Sequence, residues 1–230
     1  NNNLKIIKHM VENLKININH TNNHGFDCLM LACHDNTNPE IAKYLINDLS
    51  MDWNRTNSEG VNCLMLACIQ NENPEIIKYL TNDRSMDPIC KNNRGYDCLM
   101  LACLQNGNPE IIRYLINDLS MDWTQTGNMD ENCLMLACRC NQNPEIIKYL
   151  INDLSMDWNR KNELGSDCLM LACLENQNLG IIKYLVNDLN MDVNHVNDYG
   201  ENCLMLACCN NTNLEIIKYL INDLKMDINH

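Results

Sequence analysis

The residues of this chain with metal-binding or redox chemistry are its 15 cysteines and 6 histidines, and their spacing decides what that chemistry is. Twelve cysteines form pairs: Cys28 and Cys33, Cys63 and Cys68, Cys98 and Cys103, Cys133 and Cys138, Cys168 and Cys173, Cys203 and Cys208. Each pair is a C-x4-C inside the apolar block CLMLAC. On a helix of 3.6 residues per turn, positions five apart differ in direction by about 140°, so the two thiols of one pair cannot clamp one ion. Nor is C-x4-C a zinc signature. In such a block a cysteine is a small buried hydrophobe. Cys90, Cys140 and Cys209 fall outside the pairs and are expected as exposed, oxidisable thiols. This usage implies a reducing, cytoplasmic setting, that of a host cell included.

The histidines are His9, His20, His24, His34, His195 and His230. Three of them, His20, His195 and His230, share one position of a repeated unit. Copies stacked at the spacing of packed helices, about 10 Å, put the first two about 50 Å apart. The others read as solvated histidines. No base, nucleophile or metal set departs from the repeat, so no catalysis, cofactor or metal site is expected.

Charge excludes further classes. The net charge is -13, and 17 of the 30 acidic residues lie in the columns that begin at Glu40, Asp48 and Asp52. The acidity is therefore mostly framework, and without a basic face neither nucleic acid nor an anionic membrane is an expected partner. No apolar run reaches the roughly 18 residues of a membrane span. The 41 asparagines read as the bias of a low-GC genome, and the start at Asn1 reads as a fragment of a longer chain.

The elements that carry these residues follow from one stretch, DCLMLACHDNTNPEIAKYLINDLSMDWN from Asp27 to Asn54. It recurs every 35 residues, and a fixed period of this length is the signature of a solenoid, here one elongated domain. A half copy covers 1–26, and six copies follow at 27–61, 62–96, 97–131, 132–166, 167–201 and 202–230. In each copy Asp27, or Asn62 at the same place, caps a short helix with Leu29, Ala32 and Cys33 on one face. Asn38-Pro39-Glu40 opens a second helix with the apolar stripe Ile41, Ala42, Leu45, Ile46 and Leu49. A polar hairpin with Gly60 at its turn closes the copy. In the fifth copy Leu179-Gly180 replaces Pro-Glu, which weakens that helix start. Asp130 interrupts the glycine series, so its loop should bend differently, and Pro88 removes a backbone donor from another.

Helix, loop, helix and projecting hairpin together resemble the ankyrin repeat. Leu29-Met30-Leu31-Ala32 is similar to the family's Leu-His-x-Ala, Glu40 to Ile46 to its second helix, and Asp52-Trp53-Asn54 to its Asp-Val-Asn. The family's Thr-Pro-Leu-His is replaced by Asp-Cys-Leu-Met or Asn-Cys-Leu-Met, and its usual period of 33 is exceeded by two residues, placed near Asn38 and Leu49 in the two loops. Asparagine-rich, divergent arrays of this style resemble those of large DNA viruses or intracellular bacteria. The resemblance implies an all-α solenoid of ankyrin-like helix-loop-helix repeats with projecting hairpin loops. It also implies a non-enzymatic protein–protein interaction module with a protein partner and no cofactor. Asparaginyl hydroxylation of Asn194 and Asn229 is a further implication.

Framework demands the same residue in every copy and recognition does not, so the varying positions are the expected site. At the hairpins these are Arg55, Glu59, Arg94, Tyr96, Glu131, Arg160 and Tyr199. At the end of the first helix they are Ile69, Leu104, Arg139 and Leu174. Tips and first helices would present a concave surface to a protein partner, with the chain a monomer. The alternatives are the substrate-recruiting arm of a larger enzyme or ubiquitin-ligase adaptor, and a structural spacer. Trp53, Trp123 and Trp158 share one otherwise apolar column and are expected to stack between neighbouring hairpins.

Overall fold

The α-helix starts follow from side chains that replace missing backbone partners. The computed structural model describes residues 3–227. In it α1 (Leu4–Glu12) precedes six pairs: α2 (Cys28–Asp35) and α3 (Pro39–Asn47), α4 (Cys63–Gln70) and α5 (Pro74–Lys78), α6 (Cys98–Gln105) and α7 (Pro109–Arg113), α8 (Cys133–Cys140) and α9 (Pro144–Lys148), α10 (Cys168–Glu175) and α11 (Leu179–Lys183), α12 (Cys203–Asn210) and α13 (Leu214–Lys218). Asp27 and Asn62 each accept the amide of the third residue of their helix, Met30 or Met65, at 2.9 Å. Asn73 and Asn143 accept the amide of the second residue, Glu75 or Glu145, at 3.0 Å, with proline at the first helical position. Gly180 keeps this cap, its amide 2.9 Å from Asn178 Oδ1. Among the described residues there is no strand, only an isolated bridge between Thr126 and Asn132.

The second helices end differently from an ordinary α-helix. From α5 onward each runs into a π-helical turn: Tyr79–Asp83, Tyr114–Asp118, Tyr149–Asp153, Tyr184–Asp188 and Tyr219–Asp223. The Arg84 amide bonds to the Tyr79 carbonyl, five residues back, and the Met86 amide to that of Leu80, six back. Between them Ser85 takes the left-handed conformation, φ 53°. The additional residue near Leu49 is thus taken up inside the last helical turn, as a π-bulge takes one up, and not in the loop expected from the sequence.

The other additional residue lies where an asparagine ladder joins the copies. Asn71 Nδ2 donates to the carbonyls of Cys33 (2.8 Å) and Asn36 (2.9 Å), while its Oδ1 accepts the Asn73 amide (2.9 Å). Asn141, Asn176 and Asn211 repeat this on Cys103, Cys138 and Cys173. The first-helix carbonyls left over at a helix C-terminus are therefore satisfied by the next copy. A second rung runs from Asn73 Nδ2 to the Thr37 carbonyl, and from Asn178 to that of Gln142. Far from reflecting genome composition alone, the asparagines join neighbouring copies within each compact part of the fold.

The fold forms two compact units, one of Asn1–Ala102 with Glu110–Asp122 and one of Cys103–Pro109 with Trp123–His230. In the first, α2 packs on α4; in the second, α8 packs on α10 and α10 on α12. Leu64, Met65, Ile76, Ile77 and Leu80 are completely buried, each contributing roughly 1.5–3 kcal/mol of transfer free energy. Cysteine takes part in this core, with Cys63, Cys68, Cys98 and Cys103 at 0–1% exposure. The thiols of neighbouring copies meet: Cys33 with Cys63, Cys68 with Cys98, Cys138 with Cys168 and Cys173 with Cys203, and these contacts, with burial, raise the Cys33, Cys98, Cys168 and Cys203 thiols well above their ordinary range. At the other extreme α1 has no buried residue, and Leu31 beside it is 44% exposed where Leu66, Leu101 and Leu171 are 3–4% exposed.

Candidate partner-binding surface

Each hairpin is built around one asparagine. Asn57 Oδ1 accepts the amides of Glu59 and Val61, both at 2.9 Å, and the Asn57 amide bonds to the Val61 carbonyl at 2.9 Å. Asn92, Asn162 and Asn197 do the same. The turn is completed by Gly60 at φ 74°, where a Cβ would lie 2.6 Å from Asn93 Oδ1 of the next tip, so both the conformation and the approach require glycine. Adjacent tips are laterally bonded, Asn93 N to the Glu59 carbonyl and Asp198 N to that of Leu164, each at 3.0 Å.

One tip departs from this plan, because Gly127 stands where the others have asparagine and Asp130 where they have glycine. There Asn128–Asp130 forms a 3-10 turn, with Met129 (φ 68°) and Asp130 (φ 56°) both left-handed. Arg160 donates to both Asp130 carboxylate oxygens at 2.8 Å and holds that carboxyl below its usual range.

The residues singled out by variation divide on exposure. Arg55, Glu59, Arg94, Arg160 and Tyr199 are exposed, Tyr199 at 71%. Arg55 also reaches toward Asp27, 3.8 Å away. Ile69, Leu104 and Leu174 are half-buried. Tyr96 and Glu131 are buried, at 5% and 1% exposure, and offer no side chain to a partner. Their position is the one Val61 fills in another copy, on the inward side of the hairpin. Glu131 tolerates burial through ion pairing with Arg139 and a bond from Asn162 Nδ2, and Arg139 faces Glu175 as well. Cys140, expected exposed, is half-buried: its thiol lies 3.4 Å from Glu175 Oε2, and burial, then that carboxylate, push its pKa up to about 12. Cys90 and Cys209 are exposed, and so is Cys208 of the last copy. Asn194 is exposed, with its amide on Asp192; Asn229 lies outside the described residues.

Two cation–π arrangements link neighbouring copies. Lys43 and Lys78 pair with the preceding acid, Lys78 with Glu75 at 2.9 Å, and Lys43 also sits over the next copy's tyrosine, 5.7 Å from the Tyr79 ring centre; Lys183, with Gly180 in place of the acid, lies 5.2 Å from the ring centre of Tyr219. Trp53 is capped by Arg84, 5.3 Å from its ring, a cation–π contact where hairpin stacking was expected. Beside α1, Ile7, Met10, Leu31 and Ile41 help line an apolar groove of 310 Å³. Among the described residues no three His, Cys, Asp or Glu side chains form a metal-binding group, and no helix is long and apolar enough to cross a membrane.

Short helix pairs on a bonded framework, with variation concentrated at the turns, define a helical repeat protein. The family model for ankyrin repeats matches residues 1–92, 29–127, 64–162 and 134–230, and the chain belongs to the ankyrin-repeat family. Repeats of this family are generally protein–protein interaction modules and typically non-enzymatic. Among curated proteins none matches the sequence. Of solved structures, a chain in the complex of the Bd0816 predatory endopeptidase from Bdellovibrio bacteriovorus with immunity protein Bd3460 is similar at TM-score 0.58 and 20% identity, over 87% of this chain and 98% of that one. At that identity the likeness shows the fold alone.

Proposed function

We propose that this array is a non-enzymatic binding module that meets a protein partner with its hairpin tips and the ends of its first helices. The observation that carries the reading is the contrast within each copy. The asparagine caps, ladders and hairpin hubs recur from copy to copy, while the exposed tip positions Arg55, Glu59, Arg94, Arg160 and Tyr199 do not. That the similar solved chain comes from a protein–protein complex is consistent with it. Alanine at Arg94, Leu104, Arg160 and Tyr199 together should weaken capture of a partner at least tenfold while leaving the unfolding midpoint nearly unchanged. Undiminished capture would sink the assignment. The exposed Asn194 keeps its proposed second role as a hydroxylation target. Incubation with an asparaginyl hydroxylase and mass spectrometry of the peptide containing Asn194 tests it, and no gain of one oxygen atom refutes it.

A further inference from the structure

One tip position changes character along the chain. It holds His24, Glu59 and Arg94 in the first three hairpins and Met129, Leu164 and Tyr199 in the next three. The apolar residues are not there to fill a core, since Met129 is 39% exposed and Tyr199 71%, with Leu164 half-buried between them. All three belong to one unit, and the hairpins are held in register by the amide of Glu163 on the Met129 carbonyl and of Asp198 on the Leu164 carbonyl, both 3.0 Å. Met129 is displayed on a backbone with two successive left-handed L-residues, where the five other hairpins have glycine at the turn. Strain of this kind persists only where surrounding structure holds it, and it clusters at ligand-binding positions.

We propose that Met129, Leu164 and Tyr199 form a docking strip for an amphipathic α-helix of the partner, one with apolar residues seven apart and basic residues beside them; this rests on the reading of the tips as a protein-binding surface. Spacing sets the helix apart from an extended strand. Successive copies repeat at about 10 Å, the separation of packed helices. Seven residues of α-helix advance about 10.5 Å and bring a side chain back to nearly the same face. An extended strand presents a side chain on one face every 6.6 Å or so, and falls out of step by the second tip. Charge selects the flanks. Each apolar residue has an acid next to it in sequence, Asp130, Glu163 and Asp198, of which Arg160 occupies the first. Glu163 and Asp198 are exposed, placed for lysine or arginine on the rows either side of the helix's apolar seam.

The test uses the full chain and synthetic peptides of three heptads, with leucine at one position of each heptad and lysine on both sides. Fluorescence anisotropy should show saturable binding of this peptide. A composition-matched peptide with leucines two apart, or a polyproline peptide with leucine at every third residue, should bind at least tenfold more weakly. Exchanging the strip for the residues of the earlier hairpins, Met129→His, Leu164→Glu and Tyr199→Arg, should reduce heptad-peptide binding by tenfold or more, as loss of central anchors does. Circular dichroism and an unchanged unfolding midpoint would show that the exchanged chain is folded. Equal binding of all three peptides, or of the parent and exchanged chains, overturns the proposal. If no peptide binds but tip substitutions still abolish capture of a natural partner, the helix is wrong and the broader reading of the tips stands.

Discussion

The side-chain nitrogen of Asn176 lies 2.8 Å from the carbonyl oxygen of Cys138, 38 residues earlier, and 3.0 Å from that of Asn141. Asn176 is completely buried, so these carbonyls have no water to turn to. Asn176→Asp keeps the shape, removes both donors and sets a carboxylate against two acceptors. Leaving buried acceptors unpaired costs about 1–3 kcal/mol each, so the loss should be about 2–5 kcal/mol in urea unfolding. The same change at the exposed Asn194 should stay within about 0.5 kcal/mol.

The N-caps give a prediction of opposite sign. Asp97 and Asp167 cap their helices in the way Asn62 and Asn132 do, but burial raises their carboxyls above the ordinary range, outweighing the bonds from Met100 and Met170 that lower them. An acid with a raised folded-state pKa binds protons more readily folded than unfolded, so it destabilises the fold at neutral pH. That penalty is relieved as pH falls through the raised value toward about 3.9, the unfolded one. Asp97→Asn should therefore raise the unfolding midpoint at pH 7, and the gain over the parent should vanish near pH 3.

Glu131 and Arg139 form a buried ion pair where the other copies have residues such as Val61 and Leu174. Removing one charge strands the other: Glu131→Val alone should cost about 3–5 kcal/mol. The double change Glu131→Val with Arg139→Leu replaces the pair by the packing of its neighbours, and should be neutral or stabilising by comparison with the parent. A double-mutant cycle from chemical denaturation checks both.

Thiol reactivity should follow exposure and environment rather than cysteine number. At pH 8 a thiol with a pKa of about 12 is ionised in about one molecule in ten thousand, so Cys140 should resist iodoacetamide although it is only half-buried. Cys208 and Cys209 should be alkylated first and Cys90 more slowly, since burial and the nearby Asp87 raise its thiol. Peptide mapping over time reads the order. Early labelling of Cys140 would contradict the Glu175 contact.

The helix starts were legible because capping is local: Asn38-Pro39-Glu40 states both the cap and the first turn within three residues. The hairpin turns were legible for the same reason, from Gly60 and its equivalents. What escaped is non-local. Asn71 stands in a polar run that reads as loop, and its partners lie 35 and 38 residues away. The available signal was its invariance, since Asn36, Asn71, Asn106, Asn141, Asn176 and Asn211 stand beside neighbours that change. Likewise Glu131 and Tyr96 vary, yet they vary at the position of Val61, and variation alone does not distinguish an exposed site from an inward one repacked in each copy.

The lateral bonds have a consequence for how such a chain changes length. Asn71, Asn141, Asn176 and Asn211 bond to main-chain carbonyls of the copy before them, and main-chain carbonyls are the same whatever side chains that copy carries. Deleting residues 132–166, or duplicating them, would leave each new junction facing the acceptors it had before. The joint is indifferent to the identity of its neighbour, so copies can be lost, gained or shuffled by unequal recombination without a compensating mutation, and selection can act on tip sequences copy by copy.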